Sequence, residues 1–170
     1  MDDLRIRLAD DLDGAFPELV EGLQSELFSG LRSLTGGDAE DIAQETFIRA
    51  YRALSDYDAD RVRNLSLRGW IWTIALNLGR NHLRDRSRRP TVAGELLDVG
   101  RDDPEPPDWM AWDARLRQLS LPIRKAVVLR HVVGLDYPEI SLVTGRPVGT
   151  VKADVHRGLQ RLRTILEDEE

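Results

Sequence analysis

The chain has 170 residues, of which 41% are hydrophobic and 32% charged, and its formal net charge is −6. This composition is typical of an ordered, mostly helical protein, and the absence of cysteine excludes disulfides and thiolate metal sites. The acidic residues 1–13 lack the apolar core of a signal peptide, and no apolar run is long enough to span a bilayer, so we expect a soluble cytoplasmic protein.

Charge alternates along the chain. Residues 1–48 carry a net charge of −9 and residues 49–93 one of +6, whereas residues 94–114 carry −6 and residues 115–163 carry +7. A polyanion senses the local field more than the total charge. The two basic blocks are therefore compatible with DNA binding, and their acidic neighbours with some other partner.

Two helices are predicted in the first third of the chain. Apolar residues at three- and four-residue steps predict a helix from Asp10 to Thr35, which the Gly36-Gly37 pair ends. Its apolar stripe consists of Phe16, Val20, Leu23, Leu27, Phe28, Leu31 and Leu34. Asp38 is the expected N-cap of the next helix, whose buried stripe is Ala39, Ala43, Phe47, Ala50 and Leu54.

The outer face of this second helix is charged and carries Asp41, Gln44, Glu45, Arg49 and Arg52. Glu45 and Arg49 have the spacing of a favourable i,i+4 ion pair. By pattern alone the face is best interpreted as a solvated surface, because most charged faces bind nothing specific.

Residues 55–66 are expected to form a loop, followed by a third helix from Leu67 to Arg89 that Ser66 caps. Its core side is predicted to hold Leu67, Trp70, Ile71, Ile74, Ala75, Leu78 and His82. Its outer side then carries Trp72, Asn77, Arg80, Asn81 and Arg84. Aromatic, amide and guanidinium groups stack on bases and form hydrogen bonds with them, although Trp72 is equally compatible with a packing role.

A segment rich in proline, glycine and acidic residues, 93–108, predicts a flexible linker because it cannot bury enough apolar surface to fold alone. It separates a predicted N-terminal domain, residues 1–92, from a C-terminal domain, residues 109–170. The C-terminal domain begins with helical spacing through Trp112 and Leu119, followed by a helix that Ser120 caps with Pro122 in its first turn. The predicted fold is all-α, with two small helical domains.

A helix-turn-helix is predicted from Leu135 to Leu166. Asp136 and Glu139 have the spacing of a capping box, and Gly145 is placed to end the first helix. The second helix has an apolar stripe of Val148, Val151, Val155, Leu159, Leu162 and Leu166. The opposite face carries Gly149, Ala153, His156, Arg157 and Gln160, flanked by Lys152, Arg161 and Arg163. A short helix bracing a longer, basic one is typical of a major-groove reader, although an amphipathic hairpin with a solvated face is the alternative.

The sequence offers no catalytic or cofactor motif. The histidines His82, His131 and His156 fall in different predicted elements, and no metal-binding spacing, phosphate-binding glycine loop or nucleophile motif is present. We therefore expect neither enzymatic activity nor a cofactor or metal.

Three segments, in this order, resemble the extracytoplasmic-function sigma factors of the bacterial main sigma family. They are DAEDIAQETFIRAYR (38–52), WIWTIALN with NHLR (70–77 and 81–84), and the C-terminal stretch that includes LP (121–122), GLDY (134–137) and PVGTVK (147–152). The resemblance extends from about Phe16 to Leu166. It implies a promoter-specificity subunit that binds core RNA polymerase and promoter DNA, helps to open the DNA, and is held inactive by an anti-sigma factor.

The resemblance also implies roles for individual residues. The polymerase-binding residues would be Asp41, Gln44, Glu45 and Arg49, which reverses the interpretation of that face as merely solvated. The minus-ten element would be bound as single-stranded DNA by Arg61, Arg63, Asn64, Asn77, Arg80, Asn81 and Arg84, with residues 57–64 forming a pocket for a flipped base. The minus-thirty-five element would be read as duplex by Thr150, Lys152, His156, Arg157, Gln160 and Arg161.

The chain departs from the family pattern at two places. The loop before the third helix is a few residues longer than usual, and Ala153-Asp154 stands where the family commonly has Ser-Arg. Asp154 could accept a hydrogen bond from a cytosine amino group, or it could pair with Arg157 or Arg161 and fix their direction, which is the preferred interpretation. An Asp154→Arg change is expected to strengthen nonspecific binding and steepen its salt dependence.

Two other classes of function are compatible with the pattern. One is a dimeric helix-turn-helix regulator that binds a palindromic operator without polymerase. The other is a protein-interaction adaptor that does not bind DNA, which the two basic blocks disfavour.

Overall fold

The computed structural model describes residues 1–88 and 108–169. The regular elements in these ranges are helices: α1 (Asp2–Asp10), α2 (Leu12–Thr35), α3 (Ala39–Asp56), α4 (Ala59–Arg63), α5 (Leu67–Arg88), α6 (Asp108–Arg117), α7 (Leu121–Val127), α8 (Tyr137–Thr144) and α9 (Val148–Glu169). A 3-10 turn, Gly36–Asp38, precedes α3, and a π-helical turn, Val128–Val132, continues α7. The predicted linker lies outside the described residues apart from Asp108, with which α6 begins.

The first predicted helix, Asp10 to Thr35, is present as α2, and a shorter helix precedes it. The chain bends at Asp11, whose carboxylate accepts a hydrogen bond of 3.0 Å from the backbone N–H of Gly14 and so caps α2. The preceding residues form α1, which sequence periodicity did not reveal because only Leu4 and Leu8 anchor it in the core.

Helices α2, α3 and α5 enclose the core of the N-terminal half, in which Leu27, Leu31, Ile42 and Ile71 are at most 1% exposed. The predicted stripe on α2 was wrong at Phe28, which is 38% exposed. The buried stripe that α2 actually presents is wider than the predicted one and includes Ala15 and Leu19. The centre of this stripe therefore lies away from Phe28.

Two local predictions around α3 were wrong. The segment 55–66 is not all loop, because α3 continues to Asp56 and Asp58 caps the short α4 through a hydrogen bond of 2.8 Å from the backbone N–H of Arg61. Asp38 does not cap α3 with its side chain. Its carboxylate instead accepts a hydrogen bond of 3.1 Å from Arg86, which ties the start of α3 to the end of α5.

The C-terminal half packs α7 and α8 against α9 around Val128, Leu129, Leu135 and Ile140, all of which have no measurable exposure. The predicted stripe on α9 was wrong at Leu159, which is 43% exposed. Gly158 takes its place against α7, where an added Cβ would lie 2.4 Å from a Val127 methyl group. The helices approach closely at a residue without a side chain, and this rotates Leu159 outward.

The two halves pack against each other, α5 on α8 and α2 on α6 and the π-helical turn. A buried hydrogen bond of 3.0 Å joins the Ser33 hydroxyl to the Asp113 carboxylate, and Arg32 approaches the same carboxylate at 3.4 Å. Trp72 of α5 is 1% exposed, and its ring reaches Gly30. A methyl group of Val133, from the C-terminal half, also lies close to Gly30. The predicted DNA-binding faces therefore belong to one packed arrangement.

Candidate nucleic-acid interface

The turn between α8 and α9 is built as the sequence predicted. The Asp136 carboxylate accepts a hydrogen bond of 2.8 Å from the Glu139 N–H, and the Glu139 carboxylate accepts one of the same length from the Asp136 N–H. Gly145 ends α8 with a φ of 70°, a left-handed conformation that glycine adopts without strain. The Ser141 hydroxyl donates to the Arg146 carbonyl at 2.7 Å. These contacts fix the angle at which α9 leaves the turn.

The outer face of α9 is exposed at nearly all of the residues predicted to read duplex DNA. Lys152, His156, Arg157, Gln160 and Arg161 are exposed, while Thr150 is half-buried. The Lys152 ammonium lies 5.6 Å from the centre of the Tyr137 ring, a cation–π contact that joins α9 to α8. The face therefore presents hydrogen-bond donors and acceptors over more than two turns of helix.

Asp154 does not lie on this face. It is 2% exposed, and its two carboxylate oxygens pair with Arg157 at 2.6 Å and with Arg146 at 3.0 Å. The preferred pairing with Arg157 is thus present. The expected effect of Asp154→Arg was wrong in its premise, because an arginine at this buried position would lose both ion pairs and place a third cation beside two others.

A groove of about 250 Å³ lies between α3, α5 and Tyr57, which precedes α4. Its lining residues are Arg49, Ala53, Tyr57, Trp70, Ile74, Asn77, Leu78 and Asn81. The Tyr57 and Trp70 rings are tilted, with their centres 5.9 Å apart, and the guanidinium carbon of Arg61 lies 3.5 Å from the centre of the Tyr57 ring. Aromatic rings beside two amides provide stacking surfaces and edge contacts for unpaired bases.

The two tryptophans of α5 lie on sides opposite to those predicted, and of the two roles left open for Trp72 the packing role is the one found. Trp70, expected in the core, is only half-buried and lines this groove. Trp72, expected on the outer side, is buried, and its indole N–H donates to the Glu26 carboxylate at 2.9 Å. Tyr57 was also missed as a single residue, because it lies between α3 and α4, where no helical period assigns a face to it.

The remaining residues predicted for single-stranded DNA are placed unequally. Asn77, Arg80, Asn81 and Arg84 are exposed on α5, with Arg80 donating to the Asn77 side-chain oxygen at 2.7 Å. On α4, Arg61 stacks on Tyr57, as described above. Arg63 and Asn64, on the same segment, are engaged by acidic side chains and by a backbone carbonyl.

Arg63 pairs with Asp10 at 2.9 Å and with Asp60 at 3.3 Å, and the Asn64 amide donates to the Asp60 carbonyl at 2.8 Å. The contact with Asp10 raises the pKa of Arg63 above its ordinary value, as expected for a guanidinium beside a carboxylate. Since Asp10 ends α1, this helix braces the α4 segment, and Arg63 is less available to phosphate than Arg61.

A second cavity, of about 210 Å³, lies between α5 and the C-terminal half. Asn77 and Arg80 line one side, and Lys125, Thr144 and Arg146 line the other. The pKa of Lys125 is lowered by burial first and by the nearby charge of Arg80 second. One edge of the predicted single-strand surface therefore faces the other half of the protein.

The face of α3 predicted to bind polymerase is exposed at Asp41, Gln44 and Arg49 and half-buried at Glu45. The predicted ion pair is present, with 2.8 Å between Glu45 and Arg49. Gln44 also lines a groove of about 530 Å³ between α2 and α3, together with Phe28 and Phe47. This face combines acidic groups with an adjoining apolar strip.

In the part of the chain that the structure describes, His, Asp and Glu side chains nowhere form a group of three that could hold a metal ion. None of the described helices is long and apolar enough to cross a membrane.

Comparison with known proteins identifies the family. Residues 19–89 match Sigma-70 region 2, and residues 109–162 match Sigma-70, region 4. The ECF RNA polymerase sigma factor SigE of Mycolicibacterium smegmatis is 36% identical over 164 residues, a match that covers 89% of this chain and 62% of that protein, so the chain spans less than two thirds of this relative's length. The ECF RNA polymerase sigma-E factor of Escherichia coli (strain K12) is 33% identical over 165 residues, covering 87% and 84%.

Two solved structures have the same fold as this chain. The structure of CnrH in complex with the cytosolic domain of CnrY matches with a TM-score of 0.75 and 25% identity, over 99% of this chain and 98% of that one. The sigma factor RpoE in complex with the anti-sigma factor NepR from Bartonella quintana has the same fold, with a TM-score of 0.66 and 23% identity over 94% and 99% of the two chains. The chain therefore belongs to the ECF RNA polymerase sigma factors of the sigma-70 family.

Proposed function

We propose that this protein is the promoter-specificity subunit of a bacterial RNA polymerase: it binds the core enzyme, recognises two promoter elements and promotes strand opening. The observation that carries the proposal is the match of one chain to both Sigma-70 region 2 and Sigma-70, region 4, in that order. The family assignment favours this function over that of a dimeric helix-turn-helix regulator or an adaptor. We further propose that it has no catalytic residue and acts in the cytoplasm, beside the polymerase.

The minus-ten element would be held as single-stranded DNA in the groove of Tyr57, Trp70, Asn77 and Asn81. Extruding a base from the duplex costs a few kcal/mol, and stacking one base on an aromatic side chain returns about 1–3 kcal/mol. Since the two rings lie 5.9 Å apart and are tilted, one base can contact both. The amides of Asn77 and Asn81 are then placed for edge contacts, while Arg80 and Arg84 serve the backbone phosphates.

The segment before α5 would support this site unequally. Arg61 covers the Tyr57 ring at 3.5 Å and remains exposed, so it can reach phosphate and orient the ring at once. Arg63 and Asn64 are already engaged by Asp10 and Asp60. We therefore assign them chiefly to shaping the loop, in contrast to their expected role as DNA contacts.

The minus-thirty-five element would be read in the major groove by α9. His156, Arg157 and Gln160 lie on successive turns of the exposed face and offer donors and acceptors to base edges. Lys152 and Arg161 flank them and suit phosphate contacts, with Thr150 near the helix start adding a hydroxyl. This division makes α9 a duplex anchor upstream of the melted region.

Core polymerase would bind the face of α3 through Asp41, Gln44, Glu45 and Arg49. The Glu45–Arg49 pair holds two of these side chains in register, and Gln44 joins them to the apolar strip of Phe28 and Phe47. A partner surface that is basic with apolar residues between the cations would be complementary.

An anti-sigma factor is the expected regulator. Support comes from two solved structures of the same fold: CnrH is in complex with the cytosolic domain of CnrY, and RpoE of Bartonella quintana is in complex with the anti-sigma factor NepR. Because this chain has no cysteine, any thiol-based sensing would have to reside in such a partner.

Run-off transcription tests the proposal. Core polymerase and this protein are combined with a promoter library, and selected templates are tested again with and without the protein. Initiation at defined start sites that requires the protein is expected. Tight operator binding by the protein alone, with no initiation in the presence of core, would support the dimeric regulator instead.

A further inference from the structure

Asp154 is a buried carboxylate in the helix that faces DNA. Its side chain is 3% exposed, and it lies between Val151 and Val155, which are 1% and 2% exposed. An isolated carboxylate is strongly destabilised at such a position, because burial removes its hydration. The two guanidinium groups that it contacts therefore stabilise its negative charge at this buried position.

These two guanidinium groups come from different parts of the helix-turn-helix. Arg146 belongs to the turn between α8 and α9, and its side chain, 35% exposed, reaches one carboxylate oxygen at 3.0 Å. Arg157 lies on α9, three residues after Asp154, and its side chain, 59% exposed, donates to the other oxygen at 2.6 Å. One buried group thus links the turn to an exposed arginine on the recognition face.

The contact uses one Nη2 donor of Arg157 and leaves the other N–H groups of the guanidinium for an outside ligand. A free arginine loses much rotamer freedom when it binds, and an arginine already held by a fixed carboxylate has lost part of it in advance. A guanidinium held in one plane is suited to the bidentate contact with O6 and N7 of guanine.

Arg161 gives a contrast on the same helix, one turn further on. It is exposed, and among the described residues no acidic side chain pairs with it. An exposed arginine at the edge of the face that no carboxylate holds suits phosphate, whose negative charge can be approached from many directions. The two arginines therefore differ in preorganisation although they are alike in chemistry.

We propose that Asp154 is a positioning residue that sets base preference: it holds Arg157 so that α9 selects guanine at one base pair of the minus-thirty-five element. The proposal rests on the proposed function, since it names what one residue of that site reads. Asp154 itself does not contact DNA and acts only through Arg157.

The test uses the full chain with core polymerase and duplexes in which the upstream six base pairs are randomised, with bound sequences counted for each variant. For the wild-type protein we expect one position at which guanine is preferred. Arg157→Gln should lower that preference about tenfold, the loss of one bidentate contact. Asp154→Asn should lower the preference at the same position and leave the other positions unchanged.

Asp154→Asn is chosen because asparagine has the same shape, and Arg146 and Arg157 are exposed enough to be hydrated when the negative charge is removed. Arg146→Gln is the matched control, because it removes the other ion pair of Asp154 and should keep the guanine preference. Arg161→Gln should weaken binding to all sequences and reduce the salt slope by about one.

Three outcomes would overturn the proposal. Asp154→Asn could keep the guanine preference that Arg157→Gln loses, or it could weaken binding equally at all sequences. The third is that Arg146→Gln lowers the guanine preference as much as Asp154→Asn does, which would mean that both changes act by distorting the turn. If instead the wild-type protein and core showed no selection and no initiation, the proposed function would fail before Asp154 came into question.

Discussion

Arg68, on α5, donates a hydrogen bond to the backbone carbonyl of Val133, in the C-terminal half of the chain. The same guanidinium is held by both oxygens of Glu26, at 3.0 Å and 2.9 Å. Val133 follows the π-helical turn, where a helix presents unpaired carbonyls and a partial negative charge. Arg68 therefore caps a helix of one half with a cation supplied by the other.

This packed arrangement of the two halves is too compact for α5 and α9 to reach both promoter elements at once. Elements centred about 25 base pairs apart are separated by roughly 85 Å of duplex at 3.4 Å per pair. A compact chain of about 150 residues has a radius of gyration of only about 15 Å. If the proposed function is correct, the two halves must separate before α5 and α9 bind their elements together.

Arg68→Gln is expected to favour separation of the two halves. It removes a charge-assisted hydrogen bond across the contact, an interaction typically worth about 1.5–3 kcal/mol. The chain has no cysteine, so dyes can be attached at Ser55→Cys and Thr164→Cys, both exposed positions, and their distance followed by energy transfer. We expect a longer mean distance and a larger radius of gyration in solution scattering.

Arg49→Gln is the control for this measurement, because Arg49 pairs within α3 at Glu45 and does not reach the C-terminal half. An unchanged dye distance in Arg68→Gln would mean that the contacts of Trp72 and Ser33 hold the halves together without it.

Gly30→Ala is expected to destabilise the protein. A Cβ at Gly30 would lie 2.5 Å from the Trp72 ring and 3.0 Å from a Val133 methyl group, and overpacking of this kind costs about 1–3 kcal/mol. Gly22→Ala, on the same helix, meets nothing within 4 Å and should stabilise by about 0.5–1 kcal/mol through helix propensity. Thermal unfolding followed by circular dichroism distinguishes the two. Equal midpoints for both variants would contradict close packing at Gly30.

Local sequence signals predicted the helix-turn-helix well. The capping box of Asp136 and Glu139 and the left-handed Gly145 are determined within a few residues, so their pattern specifies them. The Glu45–Arg49 pair was predictable for the same reason. Sequence reasoning about α5 was less successful, because Trp72 packs against Gly30 at a contact that a Val133 methyl group also approaches, and both residues are distant from Trp72 in sequence. A helical period assigns a face to each residue but does not tell whether another domain covers that face.

Asp154 shows the same limit. Because aspartate is charged, the sequence favours a solvent-exposed position for it. The i,i+3 spacing did indicate the possible pairing with Arg157. The burial of Asp154 depends on Arg146, which reaches it from the turn between α8 and α9.

Trp70→Ala is expected to impair strand opening and leave binding to core polymerase unchanged. The loss of one stacking surface should cost about 1–3 kcal/mol in binding of single-stranded minus-ten DNA. Permanganate reactivity of unpaired thymines in the promoter measures opening directly. Trp112→Ala is the control, because Trp112 is 44% exposed and lies on α6, away from this groove. Full opening by Trp70→Ala would remove this groove from the proposed function.

Asp41→Lys combined with Glu45→Lys is expected to weaken binding to core polymerase at least tenfold, about 1.4 kcal/mol or more. The change reverses two charges on the exposed face of α3 and replaces the Glu45–Arg49 ion pair by a repulsion. Such exposed pairs contribute about 0.3–0.5 kcal/mol to a helix, so the fold should persist and helicity by circular dichroism should be unchanged. Asp2→Lys combined with Asp3→Lys makes the same total charge change on α1, at a face not assigned to polymerase. Affinity for core is measured for both by fluorescence anisotropy of the labelled protein. If the two double variants lost affinity equally, the effect would be one of net charge, and the assignment of Asp41 and Glu45 to the polymerase contact would be wrong.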